Sequence, residues 1–315
     1  MSLLSICQSV AADIPVDVPT IIIGSSDGTA RLLLACAQRE GKALARRPSL
    51  GWVSQITEHT FTTFALTTTG NVTSGSLILT GLGSTTGVTP GMTANGSGLL
   101  TNSPVASVDS SSQITLSAGF TPVSDEIATD ITIGQGDYAL PSDFERMVDE
   151  TLWDRSRFWQ MRGAMTPQQW QLYKSSPIGR ASIQRRWRIR LATGATAGAT
   201  PVFSIDPVPS DNGSLLVFEY VSNAWCKSAG GTAQTAWAAD TDVGILDEYL
   251  IELGITWRML ERLGMDYTAA YSEYSQEVDK AVAADGGTSV IDMTPSGGTF
   301  LLNWTNIPET GYGNV

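Results

Sequence analysis

The sequence predicts an α+β protein: a helical core with a C-terminal helical hairpin, a small antiparallel sheet, and an inserted all-β module. Three observations predict it. Apolar residues recur at helical spacing in residues 1–60 and 243–285. Between them, residues 61–124 are rich in Ser, Thr and Gly and hold a single charged residue, Asp109. The run IQRRWRIRL (183–191) alternates as a strand does. A chain of 315 residues admits two or three domains. The expected division sets 1–63 and 135–285 as the helical core, its small sheet at about 183–222. Residues 64–134 are the inserted β-module, and 286–315 an extended C-terminal arm.

In chain order, Leu3, Ile6, Cys7 and Val10 follow Ser2, a favourable N-cap, and predict a first helix. A second helix is expected to start after Asp27 and to stop near Arg47, ahead of Pro48. In the module, short apolar runs at 76–80, 92–94, 105–109 and 113–117 alternate with turn residues, which favours strands over a disordered linker. At 142–175 the helical reading resumes. Ser142 and Glu145 have capping-box spacing, and Phe144, Met147, Val148, Thr151 and Leu152 fall on one helical face. Thr166-Pro167-Gln168-Gln169 opens a further short helix. Strands at 201–206 and 214–222 are expected to join 183–191 in an antiparallel meander. Leu246, Leu250, Leu253, Trp257 and Leu260 mark the first helix of the hairpin. Gly264 is its stop and Asp266 the cap of the second.

Composition excludes several classes of function. The net charge is −12, which argues against the whole chain gripping nucleic acid, because phosphate contacts need a basic surface. The longest apolar runs are far shorter than the roughly 20 residues that cross a membrane. The opening MSLLSICQSV has no positive charge, so no secretory leader is expected. Three scattered cysteines form neither a disulfide framework nor a metal pair. His59 is the only histidine, so mechanisms that need two are excluded. Gly24-Ser25-Ser26-Asp27-Gly28 has the GxSxG spacing of a nucleophile elbow, but no acid and later histidine follow it in triad order, and Asp27 or Ser26 reads better as a helix cap. The carboxylate pairs Asp143/Glu145 and Asp149/Glu150 read as caps and solvated faces. No catalytic, metal-ligating or cofactor-binding residue is assigned.

The charge distribution is more informative. Between Arg146 and Arg190 lie ten basic residues and only three acidic ones. Arg186, Arg188 and Arg190 share one face of the expected strand and are candidate interaction residues, for salt bridges within or between subunits rather than for phosphates. Phe300, Leu301, Leu302 and Trp304 are candidate docking residues of the arm.

Three blocks, LPSDFERMVDETLWDRSRFWQMRGAMTPQQWQLYKSS (140–176), FEYVSNAW (218–225) and AWAADTDVGILDEYLIELGITWRMLERLGMDYTAAYSEY (236–274), together with IGSSDGTARLLLACAQREGKALARR (23–47), resemble tailed-phage head-to-tail connector proteins: the adaptor, neck or tail-tubular-A-like family. The likeness spans about 200 of the 315 residues. The module separately resembles a small β-module of phage structural proteins. The resemblance implies a virion protein of the neck, assembled in the host cytoplasm. It would form a homo-oligomeric ring, usually dodecameric, and have no enzymatic activity. The implied partners are the portal protein, the tail nozzle or next neck protein, and genomic double-stranded DNA that passes without sequence-specific binding. Two further readings are a virion peptidoglycan hydrolase using paired carboxylates and a tail-fibre or decoration protein.

Overall fold

A computed structural model describes residues 1–47, 51–175, 185–192, 195–196 and 198–285. The chain opens with α1 (Leu3–Asp13) and α2 (Gly28–Ala45). Both start where their caps predict. The Ser2 side chain accepts from the Ser5 N–H, and Asp27 accepts from the Ala30 N–H at 2.9 Å. The chain closes with α4 (Glu248–Leu263) and α5 (Thr268–Ala284), joined through Gly264 in the left-handed conformation (φ 73°). One hydrophobic core unites these four helices. At its centre the Glu40 carboxylate, fully buried, accepts from Arg258 Nε at 2.7 Å and from the Tyr274 hydroxyl at 2.6 Å.

Between the two helical pairs runs a mostly β molecule. The expected fold class is therefore corrected: about 30% of the structure is strand, in four antiparallel sheets, and not a helical core with one small sheet. Among the described residues, α-helix is confined to these two pairs and α3 (Pro167–Ser175). The Thr166–Gln169 capping box is formed in both directions, at 3.1 and 3.3 Å.

The largest correction falls on the stretch read as helix from residue 142. It forms β9 (Phe144–Met147), β10 (Trp153–Asp154) and β11 (Trp159–Gln160) instead. The reason is non-local. β9 and β10 both pair with β14 (Leu215–Ser222), whose other edge pairs with β1 (Ile56–Thr62) over its whole length. Asp143 accepts from the Tyr220 hydroxyl at 2.9 Å and the Ser222 hydroxyl at 2.7 Å, and its carbonyl from the Asn223 N–H at 2.8 Å. Phe144 and Met147 then pack on the core of this sheet, so residues spaced for a helix serve a strand.

The expected meander is also corrected. β12 (Arg186–Arg190) and β13 (Val202–Asp206) do pair, but β8 (Asp137–Ala139) takes the other edge of β13, and β14 belongs to the neighbouring sheet. A short sheet, β15 (Cys226–Lys227), β16 (Ala233–Gln234) and β17 (Val243–Gly244), leads back to α4.

Residues 64–134 form six strands: β2 (Ala65–Val72), β3 (Ile78–Leu79), β4 (Thr93–Gly96), β5 (Ser103–Ser110), β6 (Gln113–Leu116) and β7 (Glu126–Gly134). Their order is β2-β7-β4-β5-β6-β3. Asn71 and Thr80 exchange backbone bonds at 2.7 and 3.2 Å, so β3 returns to β2 and the strands close on themselves. Closure removes most of the exposed sheet edge. The strands enclose their own apolar cluster, including Leu79, Ile114, Ile131 and Ile133. The chain enters and leaves side by side: the Tyr138 hydroxyl accepts from the Phe64 N–H at 3.2 Å and donates to the Gln135 carbonyl at 3.0 Å.

Removing a partner from a buried ion pair strands the other charge. Glu40→Ala leaves Arg258 without its carboxylate, and the expected loss is about 3 kcal/mol of unfolding free energy. Urea denaturation checks it; an unchanged midpoint contradicts the role given to Glu40.

Candidate interaction surfaces

Two arginines of the basic segment, Arg185 and Arg186, are drawn inward, while Arg146, Arg155, Arg157 and Arg162 stay exposed. On β12, Trp187 and Ile189 turn to the sheet core and the arginines to the opposite face. Arg185, just before the strand, is 7% exposed and pairs with Asp154 at 3.2 Å and with Asp211. Arg186 is equally buried and stacks over the Tyr173 ring of α3 at 3.7 Å. Arg190 reaches Asp137 at 3.0 Å, where the Ser204 hydroxyl also donates at 2.6 Å. Arg188 is partly exposed and makes no ion pair among the described residues. Arg162 lies alongside: it bridges to Arg186, and its carbonyl accepts from the Trp187 N–H at 3.0 Å. Its side chain is exposed and likewise has no carboxylate partner among the described residues. Of the expected interaction residues, Arg186 and Arg190 are thus engaged within the subunit and Arg188 is available. Phe300, Leu301, Leu302 and Trp304, with the whole arm 286–315, lie outside the described residues.

Asp154 does two jobs. One oxygen takes Arg185; the other accepts from the Ser156 and Arg157 N–H groups, each at 3.1 Å. These bonds fold the tip of the β10–β11 hairpin. The hairpin displays Trp153 (45% exposed), Phe158 (83%) and Trp159 (38%). Trp153 and Phe158 border a groove of about 440 Å³ that also holds Glu58, Glu150, Arg155 and Glu219. Glu58 is bonded to Arg155 at 2.5 Å. Sequence reasoning missed this surface because it placed WDRSRFWQ on a helix. A signal was present: Trp153 and Trp159 flank the pentapeptide DRSRF, whose Asp-x-Ser start is a turn-forming order.

A second cleft, about 650 Å³, lies between the end of α2 and β14. Lys42, Arg46 and Arg146 face it with a single acid, Glu145, and Trp225 and Val221 form its apolar wall.

The chain matches no family model and no curated protein.

Groups with chemical potential are structurally committed. Asp27 of the GxSxG run caps α2, as expected. Burial pushes the Cys7 and Cys226 thiols up to about 12, so both stay protonated at neutral pH. Among the described residues no cluster of His, Cys, Asp and Glu could hold a metal, and no helix is long and apolar enough to cross a membrane. His59, on β1, sits among Phe61, Phe218 and Tyr220, with ring centroids 5.7, 5.2 and 6.4 Å away.

Burial lowers the His59 pKa below its usual 6.5, against an opposing pull from Asp143. The unfolded chain therefore binds a proton at His59 that the folded chain resists. Stability from this group is complete above the unfolded pKa and is lost as pH falls through it toward the folded value. His59→Gln is expected to show a shallower loss of unfolding free energy than the wild type between pH 7 and 5. Equal slopes contradict the burial effect.

Proposed function

We propose that the protein is a structural virion component of a tailed phage, a head-to-tail adaptor. Copies form a ring beneath the portal, receive the tail nozzle or the next neck protein, and let genomic DNA pass. The work is mechanical and involves no covalent chemistry. One observation carries the reading: the separate blocks that resemble connector proteins meet in space. Asp143 of the first block bonds Tyr220, Ser222 and Asn223 of the second. Trp225 of the second packs edge-on against Trp237 of the third at 5.1 Å and lies on Gly41 of the N-terminal block. Blocks whose contacting residues lie up to 184 positions apart in sequence build one continuous framework, which favours a common architectural constraint over scattered chance likeness.

Charge supports the same reading. A channel that DNA must traverse should repel phosphate rather than hold it, and the chain carries −12. A closed ring of identical subunits needs two different complementary faces on each. This chain offers an acidic aromatic groove, and arginines without acidic partners among the described residues. The homo-oligomeric ring, the portal and nozzle contacts and the neck location all belong to this proposal.

Immunogold labelling of purified virions tests it. Label at the portal vertex is the expected result. Label at the tail tip or over the capsid surface contradicts it, as does cell-wall lysis by the purified protein that is lost on substituting an Asp or Glu.

A further inference from the structure

We infer that the β10–β11 hairpin is the surface by which one copy grips the next, its groove receiving the Arg162–Arg188 face of a neighbouring copy. The inference rests on the ring reading above and names the residues that close the ring.

The hairpin carries features that a solvated surface does not need. Trp153, Phe158 and Trp159 are exposed together within seven residues, and aromatic clusters of this kind mark the energetic centres of interfaces. Phe158, the most exposed of the three, has φ 60°, the left-handed region that a bulky side chain occupies at a cost. Among the described residues β11 pairs only with β10, so it is an open edge of the five-stranded sheet.

The charges select the occupant. Glu58 on β1 and Glu219 on β14 stand directly opposite each other in register. Like charges in that relation repel. Arg155 relieves Glu58. Glu219 and Glu150 have no cationic partner among the described residues. The groove thus presents two unneutralised carboxylates beside two aromatic faces. This is the receptor that a guanidinium fits best: it pairs with a carboxylate through its edge and stacks on an aromatic ring through its face. The same chain supplies the complement, since Arg162 and Arg188 lie beside Arg186 without carboxylate partners among the described residues. Glu150 and Arg162 line one cleft, so socket and basic face adjoin on the chain; the socket of one copy on the basic face of the next is a heterologous contact, the kind that propagates around a ring.

A charge exchange on the full-length chain tests the inference, with oligomer mass read by analytical ultracentrifugation in the presence of portal-bearing heads. Glu150→Arg with Glu219→Arg is expected to weaken association at least tenfold, and Arg162→Glu with Arg188→Glu to do the same. Combining all four substitutions in one chain restores it. Phe158→Ser, at an exposed site, weakens association without lowering the melting temperature. Rings of wild-type strength from either charge-reversed chain, or no recovery in the combined chain when its melting temperature matches the wild type, overturn this contact and leave the ring reading standing. Loss of portal binding with ring formation intact also overturns it, since the hairpin then faces another protein. A wild-type chain that never forms a ring removes the ring reading itself.

Discussion

A carboxylate shut away from water holds the helical part of the molecule together. Glu40 projects from α2 into the space between α4 and α5, where Arg258 and Tyr274 supply its only hydrogen bonds among the described residues. The approach is close. A Cβ on Gly254 would lie 2.2 Å from the Glu40 carboxyl carbon, so α4 needs a glycine where it crosses α2. The next residue of α2 imposes a second constraint. A Cβ on Gly41 would lie 2.2 Å from the Trp225 ring. Trp225 follows directly on the loop after β14. The same two residues of α2 therefore fix the helices to one another and fix the helical core to the central sheet. A buried, paired charge contributes less net stability than an apolar contact of the same size, but it tolerates few alternative packings.

β14 is the other organising element. It carries β1 on one edge and β9 and β10 on the other, and the last two come from residues 62–78 positions earlier in the chain. Asp154 links this sheet to the basic segment through Arg185, and the same carboxylate shapes the hairpin tip. The position of the exposed aromatics is thus set by a buried ion pair beneath them. A surface held in this way is preorganised, which reduces the conformational entropy lost on association.

The helices at both ends were readable because their signals are local. Ser2, Asp27 and Gly264 act within one turn, and the apolar spacing in α2 and α4 continues for several turns. The strands at 76–80, 92–94, 105–109 and 113–117 were readable from alternation, while β2 and β7, rich in Thr and Gly, gave too little apolar contrast. The stretch from residue 142 was misread for a physical reason. Strands of two to four residues are too short to display a period, and Phe144, Met147 and Leu152 satisfy a helical template as well as a sheet. What decides between them is β14, far along the chain. The same cause hid the interaction surface. Trp153 and Phe158 come to border one groove only once β10 and β11 form. The alternation of Arg186, Arg188 and Arg190 was legible, but the identity of their partners was not, because Tyr173 and Asp137 reach them through tertiary folding.

In the proposed function the chain fits between copies of itself and the larger pieces of a virus particle. Native mass determination of the purified full-length protein, alone and mixed with portal from the same phage, tests it most directly. The account predicts one closed oligomer of defined stoichiometry that travels with the portal. A chain that stays monomeric in the mixture and leaves the portal's mass unchanged contradicts it.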